Sequence, residues 1–399
     1  MKTPRILIAG AGLGGLTAAL ALLKKGFDVR IYEQASDLKE IGAGVQLAAN
    51  GTRVLQELGL APQLRRIGTE LTGKQIRLWN TGQTWKLIDL GSAHVEKYGA
   101  PYFTLHRADL HGALVDAVKA EKPDAFHLQS RAVGFEQTDG QVTLHFEGKE
   151  SVTGDVLIGA DGVHSKIRQG LFGPDKPKFT GCMAWRGLVD TRGLSDTITR
   201  EGGVFWLGPG AHIVHYPVRG GEFLNFIGII NRDDWRVESW TASGTTEECL
   251  NDFKDWNEDV QQMVRQIAIP FKWALITREP LPRWTEGRVS LLGDACHSTL
   301  PLLAQGANMA LEDGFVLARC LEKHRDDLEQ GLRSYENARR ERTTKIVNAS
   351  TDQLDRNTTS ALGDPASAAA HIAKEWEQQR INDRYDWVYG YDATTAEIE

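Results

Sequence analysis

Residues 5–33 read Arg5-Ile-Leu-Ile-Ala9-Gly10-Ala-Gly12-Leu-Gly-Gly15-Leu-Thr-Ala-Ala-Leu-Ala-Leu-Leu-Lys-Lys25-Gly26-Phe-Asp28-Val-Arg-Ile-Tyr32-Glu33. Two patterns divide this stretch. Arg5 to Ala9 is a short apolar run, as in a strand buried on both faces. Leu16 to Lys25 is rich in strong helix formers and stops at Gly26, and Asp28 to Tyr32 is strand-like again. Strand, glycine turn, helix and strand make a βαβ unit. The opening Met1 to Leu23 imitates a signal peptide or a membrane span. Gly10, Gly12, Gly14, Gly15 and Thr17 interrupt it, so it is expected to belong to the fold.

Inside the unit lies Gly10-x-Gly12-x-x-Gly15, with Leu13 and Gly14 completing the loop and Glu33 following Gly15 by 18 residues. Gly10 permits a tight turn, Gly12 lets backbone approach a pyrophosphate, and Gly15 lets the helix pack closely on the strand. The helix N-terminus offers free N–H groups and a positive dipole end to phosphates. Glu33 suits the two hydroxyls of an unphosphorylated ribose. This is a dinucleotide site, and the motif alone does not separate NAD from FAD.

Outward from that unit, the 399 residues carry 46 Lys+Arg against 53 Asp+Glu, a net −7, which argues against a nucleic-acid binder. The length allows two to three domains. The 41 glycines exceed the usual share of roughly 7%. Cys182, Cys249, Cys296 and Cys320 form no C-x-x-C pair, so they read as buried, reduced thiols of a cytoplasmic protein, with no metal site. No membrane association is expected.

Ile41 to Gln46 is a second glycine-rich loop, and Arg107 opens an amphipathic helix. Val142–Phe146 and Asp155–Ala160 read as strands, the latter running into Asp161-Gly162 and a helix. From 182 to 231 the pattern turns to β, with strands at Met183–Val189, Gly203–Leu207, His212–Val218 and Phe223–Ile230. Helices follow near 247–256, 258–267, 305–323 and 327–355. The run Arg339-Arg340-Glu341-Arg342 reads as a solvated helix face. The fold class is therefore α/β, with a Rossmann-like domain, an inserted β-sheet domain and C-terminal helices. The expected division is 1–175, 176–275 and 276–399.

Gly10-x-Gly12-x-x-Gly15, Asp161-Gly162 and Gly293-Asp294 together resemble the three fingerprints of the FAD-dependent aromatic hydroxylases, the single-component flavoprotein monooxygenases. The order and spacing agree over roughly residues 5–320. The stretch Gly293-Asp-Ala-Cys-His-Ser-Thr-Leu-Pro301-Leu-Leu-Ala-Gln-Gly306-Ala-Asn308, followed by Glu312-Asp313, is similar to the branch containing salicylate, 3-hydroxybenzoate and 6-hydroxynicotinate hydroxylases.

The resemblance implies that Gly10, Gly12, Leu13, Gly14, Gly15 and Glu33 hold the ADP half of FAD. Arg107 and Asp294 would serve its phosphate–ribitol region, with Gly44, Val45 and Gln46 alongside. Gly306, Ala307 and Asn308 would offer backbone N–H groups to the flavin's pyrimidine edge. Asp161 belongs to the fingerprint tied to FAD and the nicotinamide coenzyme, and it also suits a helix cap.

In His212-Ile-Val-His-Tyr216-Pro217, strand alternation puts His212, Val214 and Tyr216 on one face, assigned to the substrate pocket with Leu302. His215 falls on the structural face. His212, Tyr216 and Pro301 are the candidate catalytic residues, and His297 is expected to bond locally. The implied reaction uses NADH or NADPH to reduce FAD, then O2 to form a flavin C4a-hydroperoxide that hydroxylates an electron-rich ring. The implied substrate is a small hydroxylated aromatic carboxylate, of salicylate type with loss of CO2, or alternatively a 3-hydroxybenzoate or hydroxynicotinate. The protein would act as a monomer or homodimer. A plain NAD-dependent dehydrogenase or a non-catalytic FAD-binding protein are the rival readings.

Overall fold

The computed structural model describes residues 3–38, 43–199, 202–232, 234 and 242–399, the side chain of Asp355 excepted. Ile41 and Gly42 of the second glycine-rich loop lie outside the described residues. The elements that frame the site begin with β1 (Arg5–Ala9), α1 (Leu13–Lys24), β2 (Asp28–Tyr32) and β3 (Gly44–Leu47). Then come β4 (Gly73–Leu78), β5 (Thr84–Asp89), α2 (Arg107–Glu121), β6 (Phe126–His127), β7 (Val156–Gly159) and α3 (Lys166–Phe172). The middle of the chain supplies β8 (Lys178–Asp190), β9 (Gly203–Gly208), β10 (Ala211–Val218), β11 (Phe223–Asn231) and β12 (Phe271–Thr277). The frame closes with β13 (Thr285–Glu286), β14 (Val289–Leu291), α4 (Gly306–Lys323), α5 (Leu328–Asn357) and α6 (Gln378–Tyr389).

Two large sheets organise these elements. The first runs β13-β14-β7-β1-β2-β6, with β1 parallel to both β7 and β2. Ile6, Leu7 and Ile8 are fully buried there, which explains why the run carries no polar alternation. The second runs β12-β8-β11-β10-β9-β4-β5. Its Trp206, Ile213 and Phe226 pack with Val260, Met263 and Val264 from the helix Glu258–Arg265. Its other face looks toward α6 and bounds a cavity.

The hairpin β4–β5 is missing from the sequence reading. By sequence it lies within the first 175 residues, yet it joins the sheet of β8–β12 through a parallel pairing of β4 with β9. Its strands are short and largely polar, and that pairing spans more than a hundred residues, so no local pattern announces it.

The run around Arg339 needs a correction. Arg339 is fully buried rather than solvated, and Arg342 is 9% exposed. The reason sits opposite, on α4, where Glu312 and Asp313 are both buried and require cationic partners. The four cysteines are buried, and among the described residues none forms a disulfide. Among the described residues, no helix is long and apolar enough to cross a membrane.

Candidate active site

The loop between β1 and α1 is shaped by its glycines in different ways. Gly10 has φ +108°, and a Cβ there would lie 2.3 Å from the Ala160 carbonyl oxygen, so a side chain cannot fit. At Gly15 a Cβ would meet the Gly10 oxygen at 2.3 Å, and at Gly14 the Leu292 side chain at 2.5 Å. Those two serve packing, as does the buried Leu13. Gly12 differs. It caps α1, and a Cβ there would project into open space.

Ala11, Gly12, Glu33 and His111 line a cavity at this point. Glu33 accepts hydrogen bonds from the Ala11 and Ala35 N–H groups, each at 2.9 Å. A carboxylate has roughly four acceptor sites, so two remain for ribose hydroxyls. Open space at a helix N-terminus beside such an acid fits a nucleotide's phosphate and ribose.

A second cavity, of about 170 Å³, is bounded by Gly44, Val45, Gln46, Arg107, Asp294, Gly306 and Ala307. Arg107 begins α2, and its N–H donates to the Ala43 carbonyl at 2.8 Å. Asp294 is exposed at the start of a short helix. Gly306 and Ala307 present the N-terminal end of α4, where the helix dipole favours negative charge.

Asn308 contributes less freely than its neighbours, because its side chain is engaged. Its Nδ2 donates to the carbonyls of Gln46 (3.0 Å) and Ala304 (2.8 Å), while its Oδ1 accepts from the Ala48 N–H (3.0 Å). It clamps β3 to α4. Gly44 is bare because a Cβ would sit 2.6 Å from both Asn225 and Tyr216. Asp161 lines none of these cavities. Its carboxylate accepts from Ser165 Oγ (2.5 Å) and from the N–H groups of Lys166 (2.7 Å) and Ile167 (3.2 Å), capping α3. Burial pushes its pKa up against the pull of these bonds.

The third cavity, of about 70 Å³, exceeds several-fold the roughly 10–15 Å³ one water needs on that measure. His212, Val214 and Tyr216 line it together with Pro301 and Leu302, as β10 alternation requires. Gln46, Tyr216, Ile227, Pro301 and Ala304 bound both this cavity and the second. Ala304 holds φ +53°, a left-handed conformation rare outside glycine, where the turn Pro301–Leu303 gives way to α4.

His212 is 1% exposed, and neither ring nitrogen has a partner among the described residues. Burial pushes its pKa down to about 3, so the imidazole is neutral, with one donor and one acceptor unused. Burial pushes the Tyr216 phenol up, although a bond to Gln46 opposes this. His215 is also buried but faces away from the cavity, toward Arg77.

The sequence reading missed Lys74, which lines the third cavity from β4. Its Nζ donates to Tyr102 Oη at 2.7 Å, and Tyr102 Oη donates to Gln46 Oε1 at 2.8 Å. Burial pushes the Lys74 pKa down to about 7. The available signal was a lysine in register with two apolar residues, Ile76 and Leu78, on one face of a strand. Trp376, Tyr385 and Tyr389 line the same cavity, and they too went unassigned.

Behind the second cavity, His297 bonds to Asp313 at 2.5 Å, the local role expected for it. Burial alone would lower its pKa, but the Asp313 carboxylate outweighs burial and holds the ring protonated. Arg339 in turn pairs with Asp313 (2.8 Å) and Glu312 (2.5 Å), and Arg342 with Glu312 (2.8 Å). Cys296, His297 and Asp313 lie within metal-ligating reach of one another, but Asp313 is already bonded to His297 and Arg339.

A dinucleotide loop, a central cavity at a helix N-terminus and an apolar cavity sharing its wall are the features of a flavin-dependent enzyme. Residues 3–350 match the family described as FAD binding domain, and the chain belongs to that family, among the FAD-dependent aromatic hydroxylases. It is a monooxygenase with FAD as cofactor and NAD(P)H as co-substrate. It is 36% identical over 390 residues to 3-amino-4-hydroxybenzoate 2-monooxygenase PtnB3 of Streptomyces platensis, covering 98% of this chain and 96% of that one. It is 35% identical over 397 residues to 6-hydroxynicotinate 3-monooxygenase of Pseudomonas fluorescens, with 98% and 96% covered. Its fold is similar to that of Klebsiella pneumoniae HpxO complexed with FAD and uric acid, with a TM-score of 0.84, 26% identity and 96% of each chain covered.

Proposed function

We propose that this monooxygenase hydroxylates a small, already hydroxylated aromatic carboxylate held between β10 and α6. The observation that carries the reading is His212, a buried neutral imidazole that lines an apolar cavity and whose two nitrogens have no partner among the described residues. Buried polar groups are seldom left unsatisfied, so such a ring calls for a ligand.

His212 accepts a hydrogen bond from the substrate hydroxyl, which raises the ring's electron density. Tyr216 stays protonated and donates, since burial holds its phenol above the ordinary range. Val214, Leu300, Leu302 and Leu303 keep water from the reacting face. Bound FAD supplies the activation of O2 with electrons from NADH or NADPH. Gly12, the α1 N-terminus and Glu33 hold its ADP half, with Gly10, Gly14 and Gly15 shaping the loop. Arg107 and Asp294 serve its middle, and the N–H groups of Gly306, Ala307 and Asn308 its ring edge. Asp161 acts through the cap of α3, which supports the same loop.

The FAD domain comprises residues 1–175 and 276–399, and the substrate sheet 176–275 draws in the 73–89 hairpin. Four buried cysteines that form no disulfide support a reducing compartment, the cytoplasm. Within the class, a salicylate-type reaction with loss of CO2 is the particular activity proposed, suggested by Pro301-Leu302. The names of relatives at 34–35% identity support the alternative of a 3-hydroxybenzoate or hydroxynicotinate substrate, and one at 36% adds an amino-hydroxybenzoate.

A panel of hydroxybenzoates and hydroxypyridine carboxylates tests both. NADH oxidation, O2 uptake, H2O2 and product mass are followed. At least one acid should accelerate NADH or NADPH oxidation with product gaining one oxygen. Acceleration by none sinks the substrate class, and CO2 release separates the salicylate type from the alternatives.

A further inference from the structure

We propose that Lys74 is the anchor for the substrate's carboxylate, the cation that makes this cavity select aromatic acids over neutral phenols. The proposal rests on the reading above, and three independent observations support it.

The first is placement. β4 pairs with β9 so that Lys74 lies opposite Gly203, and β9 pairs with β10 with Val204 opposite His215. The row holding Lys74 therefore continues onto β10 beside Tyr216. With strands roughly 4.8 Å apart, the two backbones are about 10 Å apart, a span suited to one substituted ring. The Lys74 stem crosses a bare glycine, since a Cβ on Gly203 would sit 3.0 Å from its Cγ.

The second is hydrogen bonding. An ammonium has three donors, and Lys74 uses one, on Tyr102 Oη. That oxygen donates its own proton to Gln46, so it is a fixed acceptor that orients the ammonium.

The third is charge. Among the described residues no carboxylate lines the cavity, and Lys74 is the one lysine or arginine that does. A cation walled by apolar and neutral groups lacks a counter-ion, and a carboxylate on the ligand supplies one. The lowered pKa of Lys74 agrees with this, because burial is its sole cause and no acid offsets it.

The test uses FAD-loaded enzyme titrated with benzoate and benzamide, then with 3-hydroxybenzoate, 4-hydroxybenzoate, salicylate and the matching amides. Flavin absorbance reads binding, and NADH oxidation reads turnover. Wild type should bind each acid at least about tenfold more tightly than its amide. A charged hydrogen bond is worth roughly 1.5–3 kcal/mol, so Lys74→Met should weaken acid binding about 10- to 150-fold and leave the amides nearly unchanged. Lys74→Arg should keep most of the preference. Folded, FAD-loaded Lys74→Met with its acid preference intact overturns the proposal.

Should that variant fail to load FAD, the wild-type pH profile decides. Acid affinity should fall as pH rises above about 7 while amide affinity stays level. His94 and Tyr102 behind the ammonium stay uncharged through that range, as do His212, Tyr216, Tyr385 and Tyr389 around the cavity. An acid affinity that does not fall overturns the proposal. If neither acids nor amides accelerate NADH oxidation, the functional reading fails, while benzoate against benzamide still judges Lys74.

Discussion

His212 illustrates how much a single buried side chain can carry. Its position was legible from strand alternation, which put it with Val214 and Tyr216 on one face of β10. Its lack of any partner among the described residues was not legible, because burial and bonding depend on Leu207, Ile229 and Phe205 from other strands or positions. An unpartnered buried imidazole is a stability liability, which the proposed substrate contact would offset. His212→Leu should therefore leave the melting temperature unchanged or raise it, while lowering kcat/KM for the hydroxylated acid by about 10²- to 10⁴-fold. Thermal melts and single-substrate kinetics check both halves. A variant that melts well below wild type would mean that His212 is held by bonds after all. Lys74 shows the opposite limit of sequence reading, since a lysine in a polar strand carries no sign of the sheet it joins.

At the scale of elements, β1, α1 and β2 were readable because their signals are local: an apolar run, helix formers and glycine stops. The pairing of α4 with α5 was not. Arg339 and Arg342 look like solvent-facing charge until Glu312 and Asp313 are placed opposite them. Burial pushes both carboxyl pKa values up. The arginines outweigh it at Glu312, and His297 with Arg339 outweighs it at Asp313, so both end below the ordinary range. A depressed carboxyl pKa contributes stability above the unfolded value, here 3.8 for Asp and 4.5 for Glu, and that contribution is lost as pH falls further. The raised His297 pKa works in the other sense, contributing below about 6.5 and fading only as pH climbs through its higher folded value. Arg339→Met removes one cationic partner from each of two buried carboxylates, leaving Arg342 on Glu312 and His297 on Asp313, and should destabilise by about 1.5–3 kcal/mol. Denaturant unfolding at pH 7 checks this, and a loss below about 1 kcal/mol would show that the network adds little.

Over the whole molecule, the proposed substrate cavity belongs to neither sheet alone. β10 supplies one wall, and the turn Pro301–Leu303 supplies the wall shared with the central cavity. Trp376, Tyr385 and Tyr389, from the last 24 residues of the chain, supply another. Tyr385 stacks on Tyr389 with ring centroids 5.3 Å apart, and Tyr389 contacts Tyr98, Tyr102 and His94 edge-on. This aromatic cluster ties the C-terminal helix to the segment carrying Tyr102, the residue that holds Lys74. Closure matters because an oxygenating site open to water releases its oxygen as H2O2 instead of transferring it. Tyr385→Ala removes the stacked ring and thins the wall without touching the shared residues Gln46, Tyr216 or Pro301. NADH oxidation with a good substrate should then continue at a comparable rate, while the share appearing as H2O2 rises severalfold and hydroxylated product falls to match. Parallel measurement of NADH, H2O2 and product gives the partition. Unchanged coupling in a folded, FAD-loaded variant would mean that water is excluded by the sheet and the 301–303 turn alone, and that the C-terminal helix serves stability only.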